Sequence, residues 1–248
     1  MQQVKQFEDK NLVISIPKET TANEKLPVLY VLDGNAFGPL VERAILLQGR
    51  NPRKTGVDNA IVVAIGYDTE EAFQREARFV DYTPRRENGP EESAKRRNMP
   101  EGGGIEAFQE QINRIHVWLC KHYPVNTEKI GLLGHSLGGL CVLESYLVAE
   151  KLPFITDFLA ISPSLWWDHH EFFAKLDAME QFADRRIFVA VENDEGEMEE
   201  AAALCVQHLA THLSSEQVGF YVGPDENHMS IVFTSLSRIL RWFFEGRS

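Results

Sequence analysis

An α/β architecture, with a mostly parallel central sheet and helices on both faces, is what this sequence of 248 residues predicts. Three observations carry that expectation. Short runs of β-branched and aliphatic residues alternate with stretches of helical periodicity along the chain. One of the runs, AIVVAIGY at 60–67, is apolar almost throughout, as a strand covered on both faces would be. Another, containing Ile130, Leu132 and Leu133, leads through a Gly-x-Ser-x-Gly frame directly into a helical pattern.

The elements follow in order. Residues 11–16 (NLVISI) and 27–32 (PVLYVL) have strand composition and flank the turn-rich KETTANEK. After the strand at 60–67 comes a long polar segment, 68–104, with Pro84, Pro90, Pro100 and three consecutive glycines at its end. A loop of that length inside a compact domain commonly serves as a lid or binding element, so substrate contacts are expected there. Ile105, Phe108, Ile112, Ile115 and Leu119 recur at helical spacing and predict an amphipathic helix to about His122. Leu140, Val142, Leu143 and Leu147 mark one face of the next helix. FLAISP (158–163), RIFVAVE (186–192) and QVGFYVG (217–223) read as further strands, and 169–180, 197–213 and 230–244 as helices. No repeat or low-complexity linker divides the chain, which predicts one domain over 1–248 with the 68–104 insertion.

Gly134, His135, Ser136, Leu137 and Gly138 put a serine where a strand hands over to a helix. The small flanking residues allow a sharp backbone turn that larger side chains resist. This is the nucleophile-elbow pattern of the α/β-hydrolase fold. A Gly-rich turn with an idle serine has the same spacing, so a catalytic reading requires partners for Ser136. A free hydroxyl is a weak nucleophile at neutral pH and needs a base within hydrogen-bond reach.

Chain order in that fold is serine, acid, histidine, and it sorts the eight histidines. His116 and His122 precede the serine, His135 lies inside the elbow, and His169 and His170 precede the expected acid strand. His208 and His212 have the spacing of a metal pair but no HExxH context, and read as a solvated helix face. His228, between the last strand and the last helix, stands where the base belongs. The acid is expected in VENDEGEMEE, with Glu195 favoured, then Asp194, then Glu192; a serine–histidine pair without a third member stays open. The same run also suits the first turn of a helix, where acidic residues complement the dipole. Two backbone amides are expected to hold the oxyanion: that of Leu137, just after the nucleophile, and that of Asn35, where Gly34 lets the backbone approach closely.

Hydrophobic residues make up 44% of the chain and charged residues 25%, ordinary values for a globular protein. With 25 basic against 37 acidic residues the formal charge is −12, which opposes general binding to nucleic acid or to anionic membranes. Cys120, Cys141 and Cys205 are too few and too widely spaced for a disulfide framework or a zinc site, and no residue set suggests a dedicated metal or cofactor. The start, MQQVKQFEDK, lacks the apolar core of a signal peptide, and no run approaches the roughly 20 apolar residues of a membrane span. The expectation is a cytoplasmic enzyme acting on a small-molecule ester; the oligomeric state is left open.

Several stretches carry a resemblance when taken together. YVLDGNAFG, VAIGY, RFVDYTPR, EGGGIEAF, GHSLGGL, ISPSLWW and DENHMSIV occur in the order found in the "Putative esterase" family of α/β-hydrolases, over about residues 11–246. The sequence is most similar to the siderophore esterases of that family, which hydrolyse the trilactone of enterobactin or bacillibactin. The resemblance implies Ser136 as nucleophile, His228 as base, and the amides of Leu137 and Asn35 as oxyanion donors. Relatives often carry GELE where this chain has ENDE at 192–195, so Glu195 matches the final position while Gly and the first Glu do not.

A ferric siderophore as substrate implies cations near the site, since a ferric triscatecholate is a large anion. Arg78, before DYTP, and Arg85, Arg86, Lys95, Arg96 and Arg97 are the candidates, although three glutamates dilute the latter cluster. Trp166 and Trp167 could stack on aromatic rings or pack beneath the loop. Arg78, Tyr82 and Trp166 are the substrate contacts expected, with Asp81 and Tyr82 also suited to ordering the loop. Any iron would arrive bound to the substrate. The competing expectations are a broader carboxylesterase, an acyltransferase of the same fold, and a binding protein without turnover.

Overall fold

Strands buried along most of their length, as Leu26–Val31, Ile61–Gly66, Asp157–Ile161 and Arg186–Glu192 are, need cover on both faces, and among the described residues the chain supplies it in a layered α/β arrangement. The computed structural model describes residues 2–17, 24–85, 99–179, 182, 184–193 and 196–245. The strands are β1 (Gln2–Phe7), β2 (Lys10–Ser15), β3 (Leu26–Val31), β4 (Ile61–Gly66), β5 (Val125–His135), β6 (Asp157–Ile161), β7 (Arg186–Glu192) and β8 (Val218–Gly223). They form one sheet in the order β1-β2-β4-β3-β5-β6-β7-β8. β2 runs antiparallel to β1 and β4, and the remaining neighbours pair in parallel.

The helices are α1 (Gly34–Gln48), α2 (Pro52–Thr55), α3 (Arg75–Tyr82), α4 (Ile105–His122), α5 (Leu137–Leu147), α6 (His169–Asp177), α7 (Glu197–Ala210) and α8 (Ser230–Phe244). Side-chain alternation along β3 divides the core into two layers. Val28, Tyr30 and Leu32 join a cluster with residues of α4, α5 and α7. Leu29 and Val31 join the opposite cluster, built from Phe37, Val41 and Ile45 of α1 and Ile231, Leu236, Ile239 and Phe243 of α8. This is an α/β-hydrolase fold. No helix among the described residues is long and apolar enough to cross a membrane.

β1, α1, the single turn α2 and α3 were not expected from the sequence. β1 adds an exposed antiparallel edge next to β2. α1 covers a stretch for which no helix was expected; Gly34, Gly38 and Pro39 suggest a loop, but the helix rides close on β4. A Cβ on Gly34 would stand 2.7 Å from backbone atoms of Ala64 and Ile65, so contact with the sheet, not helix propensity, accounts for the glycine. Within the 68–104 segment, 75–82 is helix α3 and not open loop, with Phe79 and Tyr82 buried. Arg86, Lys95, Arg96 and Arg97 lie outside the described residues; Arg85 is exposed.

Candidate active site

β5 ends at His135 and α5 begins at Leu137, so Ser136 alone makes the turn, at φ 59° and ψ −119°. Such a conformation costs a non-glycine residue on the order of 1–3 kcal/mol, and it survives only where the surroundings over-determine it. They do so here. The Ser136 amide donates to Ile161 O at 3.0 Å, and the Ser136 carbonyl accepts from the amides of Leu140 (2.9 Å) and Ser164 (3.0 Å). A Cβ on Gly134 would overlap the Gly138 carbonyl, and one on Gly139 would stand 2.8 Å from Ile161 O. The half-buried Ser136 side chain rests with Oγ 3.1 Å from Ser164 Oγ.

The amides of Leu137 and Asn35 each lie in the first turn of a helix, where no carbonyl stands one turn behind. Among the described residues neither donates a hydrogen bond, and both helix dipoles present their positive ends. The two turns are neighbours: a Cβ on Gly138 would be 3.5 Å from Asp33 Oδ2 and from Leu32 Cβ. Asp33 enters α1 in the left-handed region, at φ 48° and ψ 49°. The Asn35 side chain ties the turn to the end of β4, donating to Tyr67 O (3.0 Å) and Thr69 O (2.9 Å) and accepting from the Tyr67 amide (2.8 Å).

Two residues expected at the substrate turn out to brace this loop. Tyr82 is fully buried, and its hydroxyl accepts the Asp33 amide at 2.9 Å. The Arg78 guanidinium forks onto Asp33, Nε to Oδ1 at 2.9 Å and Nη2 to Oδ2 at 2.7 Å, with its side chain 13% exposed. Burial pushes the Asp33 carboxyl up, against the pull of Arg78. The correction has a physical reason: a buried aspartate in the loop needs a cation, and Arg78 is that cation. Trp166 is half-buried and meets Trp167 edge-on, with centroids 6.2 Å apart, while Trp167 is buried and donates to Pro84 O.

His228 sits between β8 and α8 in a turn capped by Asn227, whose Oδ1 accepts from the amides of Met229 (3.0 Å) and Ser230 (3.1 Å). Its Nδ1 lies 3.1 Å from Glu192 Oε1 and 2.7 Å from Ser162 Oγ. The Glu192 side chain is 1% exposed. Burial pushes its carboxyl up, but hydrogen bonding from His228 and Ser162 outweighs this and holds it below the usual range. An ionised carboxylate only accepts, so Nδ1 carries the proton and Nε2 is left as the free basic nitrogen. His135 is 3% exposed and within hydrogen-bond distance of the His228 carbonyl, Nε2 to O at 2.6 Å; that fixes its tautomer, and among the described residues its buried Nδ1 has no partner. Burial and the neighbouring His228 push the His135 imidazole down to about 4. Ser136 and His228 are thus joined through common neighbours, His135 on one side and the 161–164 segment on the other.

A family model described as "Putative esterase" matches residues 7–229. The chain belongs to this esterase family. It is 32% identical over 246 residues to the ferri-bacillibactin esterase BesA of Bacillus subtilis, covering 94% of this chain and 83% of that one. It is 29% identical over 178 residues to the apo-salmochelin esterase of Escherichia coli, covering 71% of this chain and 54% of the relative. Among solved structures, the BES protein from Bacillus cereus is similar at TM-score 0.84 and 30% identity, over 98% of this chain and 95% of that one. The enterobactin and salmochelin hydrolase IroE shares the fold at TM-score 0.78 and 22% identity, over 99% and 95% of the two chains.

In this carboxylesterase the sequence-expected Ser136, His228, Leu137 and Asn35 are gathered at the carboxyl ends of β3, β5 and β8. Glu195 and Asp194 lie outside the described residues, and the carboxylate that reaches His228 is Glu192, ranked last by sequence. Ser162, Ser164 and His135 were not singled out as site residues. A signal for Glu192 existed: β7 is buried along its whole length, and a carboxylate ending such a strand requires a partner. Ser162 and Ser164 lie in ISPSLWW, one of the stretches that carry the resemblance, but nothing in it marked which of its residues reach the histidine.

Proposed function

We propose that this esterase cleaves siderophore esters through an acyl-enzyme on Ser136. The observation that carries the reading is a serine on a strained strand-to-helix turn, with two helix-start amides, Asn35 and Leu137, unengaged among the described residues in adjoining turns, and a histidine that shares its neighbours and is anchored to a buried carboxylate. Ser136 Oγ attacks the ester carbonyl as His228 Nε2 takes its proton. The carbonyl oxygen becomes an anion and accepts hydrogen bonds from the Asn35 and Leu137 amides, each such donor being worth on the order of 3 kcal/mol. Collapse breaks the ester C–O bond, and the imidazolium returns the proton to the departing alcohol. Water then attacks the acyl-enzyme, again giving its proton to His228, and the acid leaves as Ser136 is regenerated. Glu192 keeps the imidazole in the required tautomer and stabilises the imidazolium.

The substrate class rests on the relatives. Ferri-bacillibactin and apo-salmochelin esterases are named for siderophore substrates, and the first aligns over nearly the whole of this chain. Iron, where present, enters as part of the substrate. The test is hydrolysis of catecholate trilactones, with and without iron, beside short acyl esters, read by mass spectrometry of the products. Trilactone opening that exceeds short-ester hydrolysis in kcat/KM supports the proposal, and the reverse order overturns the substrate class. Ser136→Ala should lose at least roughly 10³-fold in kcat and should resist labelling by an active-site phosphonate. Full activity in that variant would end the acyl-enzyme mechanism.

A further inference from the structure

We propose that Ser162 is a positioning residue that, together with Glu192, locks His228 as the base of the ester cleavage. This rests on the reading of His228 as general base. Ser162 is fully buried immediately after β6 and adopts φ 44°, a left-handed conformation that favours glycine. Its amide donates to Ala190 O at 2.7 Å, so its backbone is clamped to the neighbouring strand β7. The clamped hydroxyl stands 2.7 Å from His228 Nδ1, nearer than Glu192 Oε1 at 3.1 Å.

A single contact would leave the ring free to swing. The His228 side chain is 42% exposed, and among the described residues Glu192 Oε2 has no hydrogen-bond partner, so the carboxylate engages the ring through Oε1. Two acceptors, one at the end of β7 and one just after β6, hold Nδ1–H from two directions, which fixes the ring plane. His135 of β5 also faces His228, with ring centroids 4.6 Å apart. A purely structural serine would account for the amide bond to Ala190 but not for the orientation of the hydroxyl. A non-glycine residue kept at a glycine-favouring φ beside the base points to the hydroxyl as the reason for its presence.

Ser162→Gly and Ser162→Ala separate the hydroxyl from the backbone. Glycine suits the left-handed φ, so Ser162→Gly should melt no lower than the parent, whereas Ser162→Ala keeps the strain and should be the less stable of the two. Both should lose about 10- to 100-fold in kcat, the scale of one hydrogen bond to a group that becomes charged, with KM within about twofold. Phosphonate labelling of Ser136 should slow by a similar factor. The acid limb of the kcat–pH profile should move, because the imidazolium loses an acceptor and the Glu192 carboxylate loses a donor. Parental kcat and an unshifted acid limb in Ser162→Gly would overturn the proposal, as would a loss confined to Ser162→Ala or one expressed only in KM. Ser136→Ala, assayed alongside, keeps the two readings apart: turnover there would sink the serine mechanism itself, whereas an inactive Ser136→Ala beside a fully active Ser162→Gly would sink only the role of Ser162.

Discussion

Glu192 ends a seven-residue strand whose side chains are all buried, and its carboxylate is the ionised group in contact with the imidazole of His228. Replacing it with glutamine keeps the shape but lets Nδ1 lose its proton to the wrong tautomer. Glu192→Gln should therefore cut kcat by about 10²- to 10⁴-fold with little change in KM, while Glu195→Gln should stay within about threefold of the parent. Steady-state kinetics of the two variants checks the assignment, and the opposite ranking would restore Glu195. The sequence favoured Glu195 because six acidic residues crowd 192–200 and identity alone does not separate them. Strand burial does, since a carboxylate inside a buried strand must find a donor whereas one in a helix turn can face water.

At the scale of elements, the site is two helix starts held at the carboxyl edge of the sheet, and each has a brace that can be removed. The elbow leaves no room for a Cβ on Gly134, so Gly134→Ala should destabilise the fold by about 1–3 kcal/mol and lower kcat by displacing Ser136. A parallel drop in urea midpoint and activity is the expected measurement. On the other side, Arg78 of α3 neutralises Asp33 at the head of α1. Arg78→Ala strands a buried carboxylate and should lose about 3–5 kcal/mol of stability. A variant of parental stability with only a raised KM would return Arg78 to the substrate. α1 itself was illegible as a helix, because its glycines answer to contact with β4, a tertiary demand that overrides helix propensity.

For the molecule as a whole, two buried imidazoles tie stability to pH. Burial holds both His116 and His135 down to about 4, from an ordinary 6.5. His116 stacks on Phe154 with centroids 3.8 Å apart, its Nδ1 3.0 Å from Tyr30 Oη. Because the folded state resists protonation, stability is full above about 6.5 and drains away as pH falls toward 4, where only the unfolded chain has taken up protons. At pH 5 each histidine should already have removed about 2 kcal/mol. Urea midpoints that fall between pH 7 and pH 5, with a shallower fall in His116→Gln, are the expected result. A stability flat across that range would contradict neutral buried imidazoles. Unfolding should be followed directly and separately from turnover.

By itself the sequence determined the layered α/β class, the strand-to-helix turn at Ser136 and the place of His228 after the last strand, and it singled out the amides of Asn35 and Leu137. All of these are written in local spacing or chain order, because a sharp strand-to-helix turn depends on residues next to one another. Only the tertiary structure decided which carboxylate meets the imidazole, what Arg78 and Tyr82 support, and that Ser162 touches the base. Those contacts join residues 36, 45 and 66 positions apart, and they follow from the register of β6 against β7 and from the seating of α1 and α3. Register is settled by packing across the whole sheet, which no short stretch of sequence encodes.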